Sequence, residues 1–207
     1  MNMRDWYRYL LEENVTKRDI DDEGRKELVP YRGEAADSSY LWSEAYRLLC
    51  LRGLNPLEKS NLFCLVHELL PSKECVNRLI PTISPACVLC DTEERDTYQH
   101  CFFNCTSNRE AANSMLQCAK SYDSELNSVR CLRLDIRADD PFTLPTIMVL
   151  ATGLSLIWAN RKLKKVTTVW AMRAELEARV QLLRRCRTRR LRGAANILCN
   201  MIENFYN

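Results

Sequence analysis

Four residues within a stretch of 19 have the types and spacing of a metal site: Cys87, Cys90, His100 and Cys105, in the pattern Cys-x2-Cys-x9-His-x4-Cys. Two cysteines two residues apart make a knuckle whose turn aims both sulfurs at one point. A second pair arriving from a following turn or helix start completes a tetrahedron, and zinc favours three thiolates and one imidazole so arranged. Structural zinc supplies about 10–16 kcal/mol of apparent free energy. The whole stability of a domain is about 5–15 kcal/mol, so the ion decides whether this turn-rich stretch folds. The competing reading is a set of buried free thiols, because Cys is often core. The stretch is otherwise poor in apolar residues, which argues for the metal. Cys101-x3-Cys105 is also metal-compatible. His100 is preferred to Cys101 because Cys101-Phe102-Phe103 reads as apolar packing. Cys50, Cys64, Cys75, Cys118, Cys131, Cys186 and Cys199 mostly fall on apolar helix faces and are expected in the core. His67 is expected as a partly buried or surface residue of a helix.

A second group is electrostatic. Arg184, Arg185, Arg187, Arg189, Arg190 and Arg192 put six arginines in nine positions. On a helix they would cover most of the circumference, so some must face solvent. Each offers a planar donor fork to phosphate, and several together give salt-sensitive, sequence-blind binding to RNA or DNA. The bland reading is a solvated helix end or pairing with acidic residues elsewhere. The basic run NRKLKK (160–165) extends the same surface. Trp158, Trp170 and Tyr206 are candidates to stack on bases, although Trp158 and Trp170 sit in apolar patterns that point to the core.

Other chemistries find no support. There is no Gly-rich phosphate loop, nucleophile elbow or HExxH. A metal with all four positions filled by protein leaves no place for a reactive water, so a non-catalytic module is expected. The chain has 207 residues, 46% hydrophobic and 28% charged, which excludes a disordered or repetitive protein. Net charge is only +3, but residues 141–207 carry 12 Lys and Arg against 3 acids, which leaves −6 for the first 140. A basic last third suggests a polyanion or intramolecular charge pairing. Eleven cysteines, an odd number, and an N-terminus without an apolar signal core point to an intracellular setting, nuclear or cytoplasmic, with thiols or a metal rather than disulfides. The two sequons at Asn14 and Asn104 carry no weight without secretion. Residues 141–160 are uncharged, yet short for a span and interrupted by prolines and a glycine. They are expected as a buried helix, with no membrane partner.

The elements that position these groups are mostly helical. Residues 1–14 read as an amphipathic helix with Trp6, Tyr9 and Leu10, and 15–37 as a polar linker. Asp37 or Ser38 caps a helix bearing Leu41, Trp42, Ala45, Leu48 and Leu49, ended by Gly53. Asn55-Pro56 with Glu58 opens another, with Leu62, Phe63, Val66, Leu69 and Leu70 on its face and Pro71 as its stop. Ser72 caps a short third helix with Val76, Leu79 and Ile80, stopped by Pro81. Ser107 and Glu110 read as a capping box for a helix through Met115 and Cys118. VRCLRLDI (129–136) is the one fair strand candidate. Asp140-Pro141 opens the uncharged helix. Val169, Met172, Leu176, Val180 and Leu183 recur at helical spacing, as do Leu191, Ala194, Leu198, Ile202 and Phe205. The expected fold class is mostly α with at most one or two short strands. It divides into 1–37 (helix and linker), 38–137 (a zinc-knuckle helical module) and 138–207 (basic C-terminal helices).

Together, Trp42, LEKSNLFCLVHELLPSKECVNRLI (57–80), CVLC (87–90), DTEERDT (91–97), HCFFNC (100–105) and SLIWANRKLKK (155–165) form a pattern. It resembles the zinc-binding region at the C-terminal end of non-LTR (LINE-type) retrotransposon reverse transcriptases. The resemblance covers about residues 40–165, is most specific at the knuckle, and fits the last forty residues only loosely. It implies zinc on Cys87, Cys90, His100 and Cys105, RNA or DNA as a sequence-nonspecific partner, and association with a reverse-transcriptase polymerase domain. The polymerase's paired aspartates are not matched. Asp139-Asp140 lies after the knuckle, lacks the preceding aromatic and is followed by Pro141, so it reads as a helix cap. The resemblance therefore implies an accessory portion without catalysis. The same residues admit an alternative, a zinc-stabilised protein–protein module whose helices over 166–205 bind protein.

Overall fold

The computed structural model describes residues 42–90, 92–137 and 140–203. The helix expected over 1–14, the linker 15–37, the cap at Asp37 or Ser38, Asp139, Phe205 and Tyr206 lie outside them. Among the described residues there are eight α-helices: α1 (Trp42–Leu49), α2 (Pro56–Val66), α3 (Lys73–Leu79), α4 (Arg109–Lys120), α5 (Ser128–Arg133), α6 (Thr143–Lys162), α7 (Val169–Arg184) and α8 (Arg189–Glu203). No strand occurs among them, only two isolated bridges, Arg52 with Leu54 and Ala86 with Arg95. The mostly-α expectation holds.

Local signals set several of these ends. Asn55 accepts from the Glu58 amide at 2.8 Å while the Glu58 carboxylate accepts from the Asn55 amide at 2.9 Å, a complete capping box with Pro56 in the first turn. Ser72 caps α3 through the Cys75 amide. The uncharged run becomes α6, whose faces are buried nearly all round because α2, α4, α7 and α8 pack against it. It is long and apolar enough to cross a membrane by length and composition, but 83% of its most apolar window is buried inside the protein. That is the buried helix the sequence suggests. Gly153 on α6 sits where a Cβ would run into Met115 of α4 and crowd Met172 of α7, so glycine permits the close approach of three helices.

Four expectations change. Residues 129–136 form no strand: Asn127 accepts from the Arg130 amide at 3.0 Å and starts α5, and Leu134 ends it with φ 54°. With no neighbouring strand among the described residues to pair with, this alternating segment takes the helical option its cap offers. α2 stops at Val66, not at Pro71, because Glu68 turns the chain with φ 56°. Leu70 is nevertheless buried, while Phe63 is partly exposed and Cys64 and Leu65 take the core face. The Ser107–Glu110 box does not form. Ser107 donates instead to the Leu89 carbonyl at 2.7 Å, and Asn108 accepts from the Thr167 amide at 3.0 Å. Trp158 is core as expected, but Trp170 is 74% exposed. Among the further cysteines, Cys64, Cys118 and Cys131 are buried, Cys50 is exposed, and Cys75, Cys186 and Cys199 are half-buried.

Buried charge supplies long-range ties. Arg179 of α7 donates to both oxygens of Glu58, at 2.7 Å for Nη1, and to the Gly53 carbonyl at 3.0 Å. Thr152 of α6 donates to the same carboxylate at 3.2 Å. The capping glutamate of α2 is thus also the anchor for α6 and α7. Every partner of the pair is satisfied, which a buried ion pair requires.

Candidate metal centre

Between α3 and α4 the chain has little regular structure and is held by specific hydrogen bonds. Asn77 donates to the carbonyls of Pro81 and Ile83 and fixes the chain as it leaves α3. The strand-like arms meet where the Asp96 amide donates to the Pro85 carbonyl (2.8 Å) and the Cys87 amide to the Glu94 carbonyl (3.0 Å). The loop closed in this way carries Cys87 and Cys90. The Leu89 amide points at the Cys87 sulfur at 3.4 Å, the turn that makes two cysteines two apart converge.

The second ligand pair comes from a π-helical turn, His100–Asn104, closed by the Cys105 amide on the His100 carbonyl at 2.7 Å. One such turn places residues five apart on one side, which is why the x4 spacing works. Cys101, Phe102 and Phe103 are buried. His100, not Cys101, joins the cluster, and all four ligand atoms of Cys87, Cys90, His100 and Cys105 lie within 4.8 Å of one another.

The separations suit an ion. The Cys87 and Cys105 sulfurs are 3.8 Å apart, and Cys90 Sγ is 3.3 Å from His100 Nε2. A tetrahedron with metal–sulfur bonds of about 2.3 Å and a metal–nitrogen bond of about 2.05 Å has S···S edges of about 3.8 Å and S···N edges of about 3.5 Å. Cys87, Cys90 and Cys105 are all free of disulfides. The arrangement can hold a metal ion.

Surrounding groups prepare the ligands. Glu94 Oε2 stands 2.6 Å from His100 Nδ1, off the axis of an ideal hydrogen bond. A carboxylate there keeps the proton on Nδ1 and leaves the Nε2 lone pair facing the sulfurs. Burial alone would raise the Cys87 thiol, but the amides of Leu89 and Cys90, the Arg161 guanidinium and His100 more than offset it and bring it down to about 6. Burial, with the Cys87 sulfur adding to it against the Ser107 amide, pushes Cys105 up to about 12. Burial also raises Cys101. Thr92 Oγ1 lies 3.1 Å from Cys90 Sγ.

Arg161 closes the centre from behind. Only 5% exposed, it pairs with the fully buried Asp96 and reaches the Cys87 sulfur at 3.6 Å. Asp96 also accepts from the Lys73 amide at 2.8 Å, tying α3 to the loop. Arg161 lies in the NRKLKK run expected to extend the basic surface, and it is not on that surface. It falls on the stripe of Leu154, Ile157 and Trp158, as Arg179 falls on the stripe of Leu176, Val180 and Leu183. A charge on an apolar stripe was the signal that could have found both.

The six arginines are all exposed, but they do not ring a single helix. Arg184 ends α7, Arg185 and Arg187 lie in the turn, and Arg189, Arg190 and Arg192 open α8. Arg190 reaches Asp140 at 3.3 Å, both exposed, and Arg184 reaches Cys199 Sγ at 3.5 Å. No family model, curated protein or solved structure matches the chain, so the site is read from its own geometry.

Proposed function

We propose that this chain is a zinc-stabilised, non-catalytic nucleic-acid-binding module, of the kind found at the C-terminal end of non-LTR retrotransposon reverse transcriptases. The observation that carries the reading is the convergence of Cys87, Cys90, His100 and Cys105, whose ligand atoms all lie within 4.8 Å of one another. Three soft thiolates and one imidazole select zinc over oxygen-seeking cations, and four protein ligands make the ion structural. The residues hold the loop between α3 and α4 in place, and the ion supplies the free energy that closes it.

The arginines at the α7–α8 turn then meet phosphates. They are exposed, and of the six only Arg190 has a carboxylate partner among the described residues. Binding of this kind is sequence-blind and falls steeply with salt. The test is a titration of labelled single-stranded RNA and DNA with the zinc-loaded chain at rising salt, alongside a variant with Arg184, Arg185, Arg187, Arg189, Arg190 and Arg192 changed to Gln. The reading expects a steep salt slope and its loss in the variant. Affinity indifferent to salt and to the arginines overturns it.

A protein–protein module is the second reading. What favours it is the partly exposed cluster of Tyr46 and Phe63 about the His67 ring, with Phe63 at 4.4 Å between centroids. A partner retained after nuclease treatment, by a chain that binds neither RNA nor DNA, would select it.

A further inference from the structure

The turn between α6 and α7 presents an unusual surface. Leu163 is 64% exposed, Val166 51% and Trp170 74%. Lys162, Lys164 and Lys165 stand among them, all exposed. No carboxylate pairs with these lysines among the described residues, and no acid occurs in the sequence between Asp140 and Glu175. Lys162 instead lies over the Trp158 ring, 5.4 Å from its centroid. An exposed indole is costly to leave in water, and repeated uncompensated charge beside it narrows what would cover it to an anion with a flat apolar face.

The turn is also held rigidly. Asn160 donates to Thr167 Oγ1 at 3.1 Å, and the Thr167 amide donates to Asn108, three residues beyond the ligand Cys105. Arg161, just before the turn, is locked to Asp96 and the Cys87 sulfur. The metal centre thus braces both ends of the turn.

We infer that residues 162–170 form a single-strand contact, in which Trp170 stacks on an unpaired base and Lys164 and Lys165 hold the flanking phosphates. This rests on the nucleic-acid reading above and gives it a substrate class. Duplex bases are already stacked and hide their faces, whereas an unpaired base offers one to an indole. Phosphates spaced along a single strand answer the two lysines.

The test uses the whole zinc-loaded chain with oligo(dT), a blunt duplex of equal length, and phosphatidylserine–phosphatidylcholine vesicles. Oligo(dT) should bind more tightly than the duplex and quench tryptophan emission. Trp170→Leu should abolish most of that quenching and weaken oligo(dT) about five-fold or more, with zinc content unchanged. Lys164→Gln with Lys165→Gln should flatten the single-strand salt slope by about 1.4. If Trp170→Leu leaves oligo(dT) binding intact while the arginine variant abolishes it, this inference falls and the nucleic-acid reading stands. Duplex bound as well as oligo(dT), or Trp170-dependent binding to vesicles in place of oligo(dT), also overturns it. If the wild-type chain binds no oligonucleotide, both fall together.

Discussion

The guanidinium of Arg161 forms a buried ion pair with Asp96, 65 residues away in the chain, and its other arm reaches the Cys87 sulfur. One side chain therefore couples the end of the central helix to the metal loop. Replacing it with Met removes the counter-charge of an aspartate that has no water to turn to. Breaking such a pair costs about 3–5 kcal/mol. Urea denaturation of the zinc-loaded Arg161→Met variant should show a loss of that size. Metal affinity should fall with it, because the Cys87 thiolate loses a stabilising donor. Unchanged stability would mean that the pair contributes nothing net.

Glu94 acts on the centre from outside. It is largely exposed, so Glu94→Gln should leave the fold and its chemical denaturation midpoint close to wild type in the presence of excess zinc. The carboxylate that orients His100 is lost, however, and such partners are worth about 10- to 100-fold in metal affinity. Competition against a chromophoric chelator measures this directly. Equal affinity in the variant would remove the orienting role.

Loading the site must displace protons. At neutral pH Cys87, at about 6, is already largely thiolate, while Cys105, at about 12, carries its proton. A metal needs both as thiolates, so binding releases the Cys105 proton and apparent affinity rises with pH. Calorimetry in buffers of different ionisation enthalpy should show proton release near neutrality, and zinc should leave as the solution is acidified. Chelation at neutral pH should melt the 81–105 region, seen as lost amide-exchange protection there. Binding without proton release would count against thiolate ligation by Cys105.

The Glu58–Arg179 pair predicts a stability effect with no bearing on binding. Arg179→Met leaves Glu58 buried with its strongest partner gone and should destabilise the chain by about 3–5 kcal/mol. Oligonucleotide affinity, measured under conditions where the variant is folded, should be unchanged, because Arg179 is not on the surface. A binding defect in the folded variant would show that the interface extends to α7's buried face.

What the sequence determined by itself is what depends on residues close together along the chain. The Asn55–Glu58 box, the Ser72 cap and the knuckle at Cys87 and Cys90 are each closed within three or four residues, and His100 and Cys105 within one helical turn. Their spacing set their geometry, as it did not for the equally local Ser107–Glu110 pair, whose serine is taken by the Leu89 carbonyl, and the uncharged run at 141–160 was long enough to announce a buried helix. Tertiary structure decided the rest. Arg161 looks like part of the basic NRKLKK surface, and Arg179 like one more charge of the basic last third, until Asp96 and Glu58, 65 and 121 residues away, meet them inside the protein. Trp170 fits an apolar pattern, but no helix among the described residues covers its face, and it stands 74% exposed. Residues 129–136 carry strand-forming types, but the Asn127 cap starts a helix there and no strand stands beside them among the described residues. In each case the free energy lies in a partner that local sequence does not contain, so only the packed fold reveals which charge is neutralised and which ring is left in water.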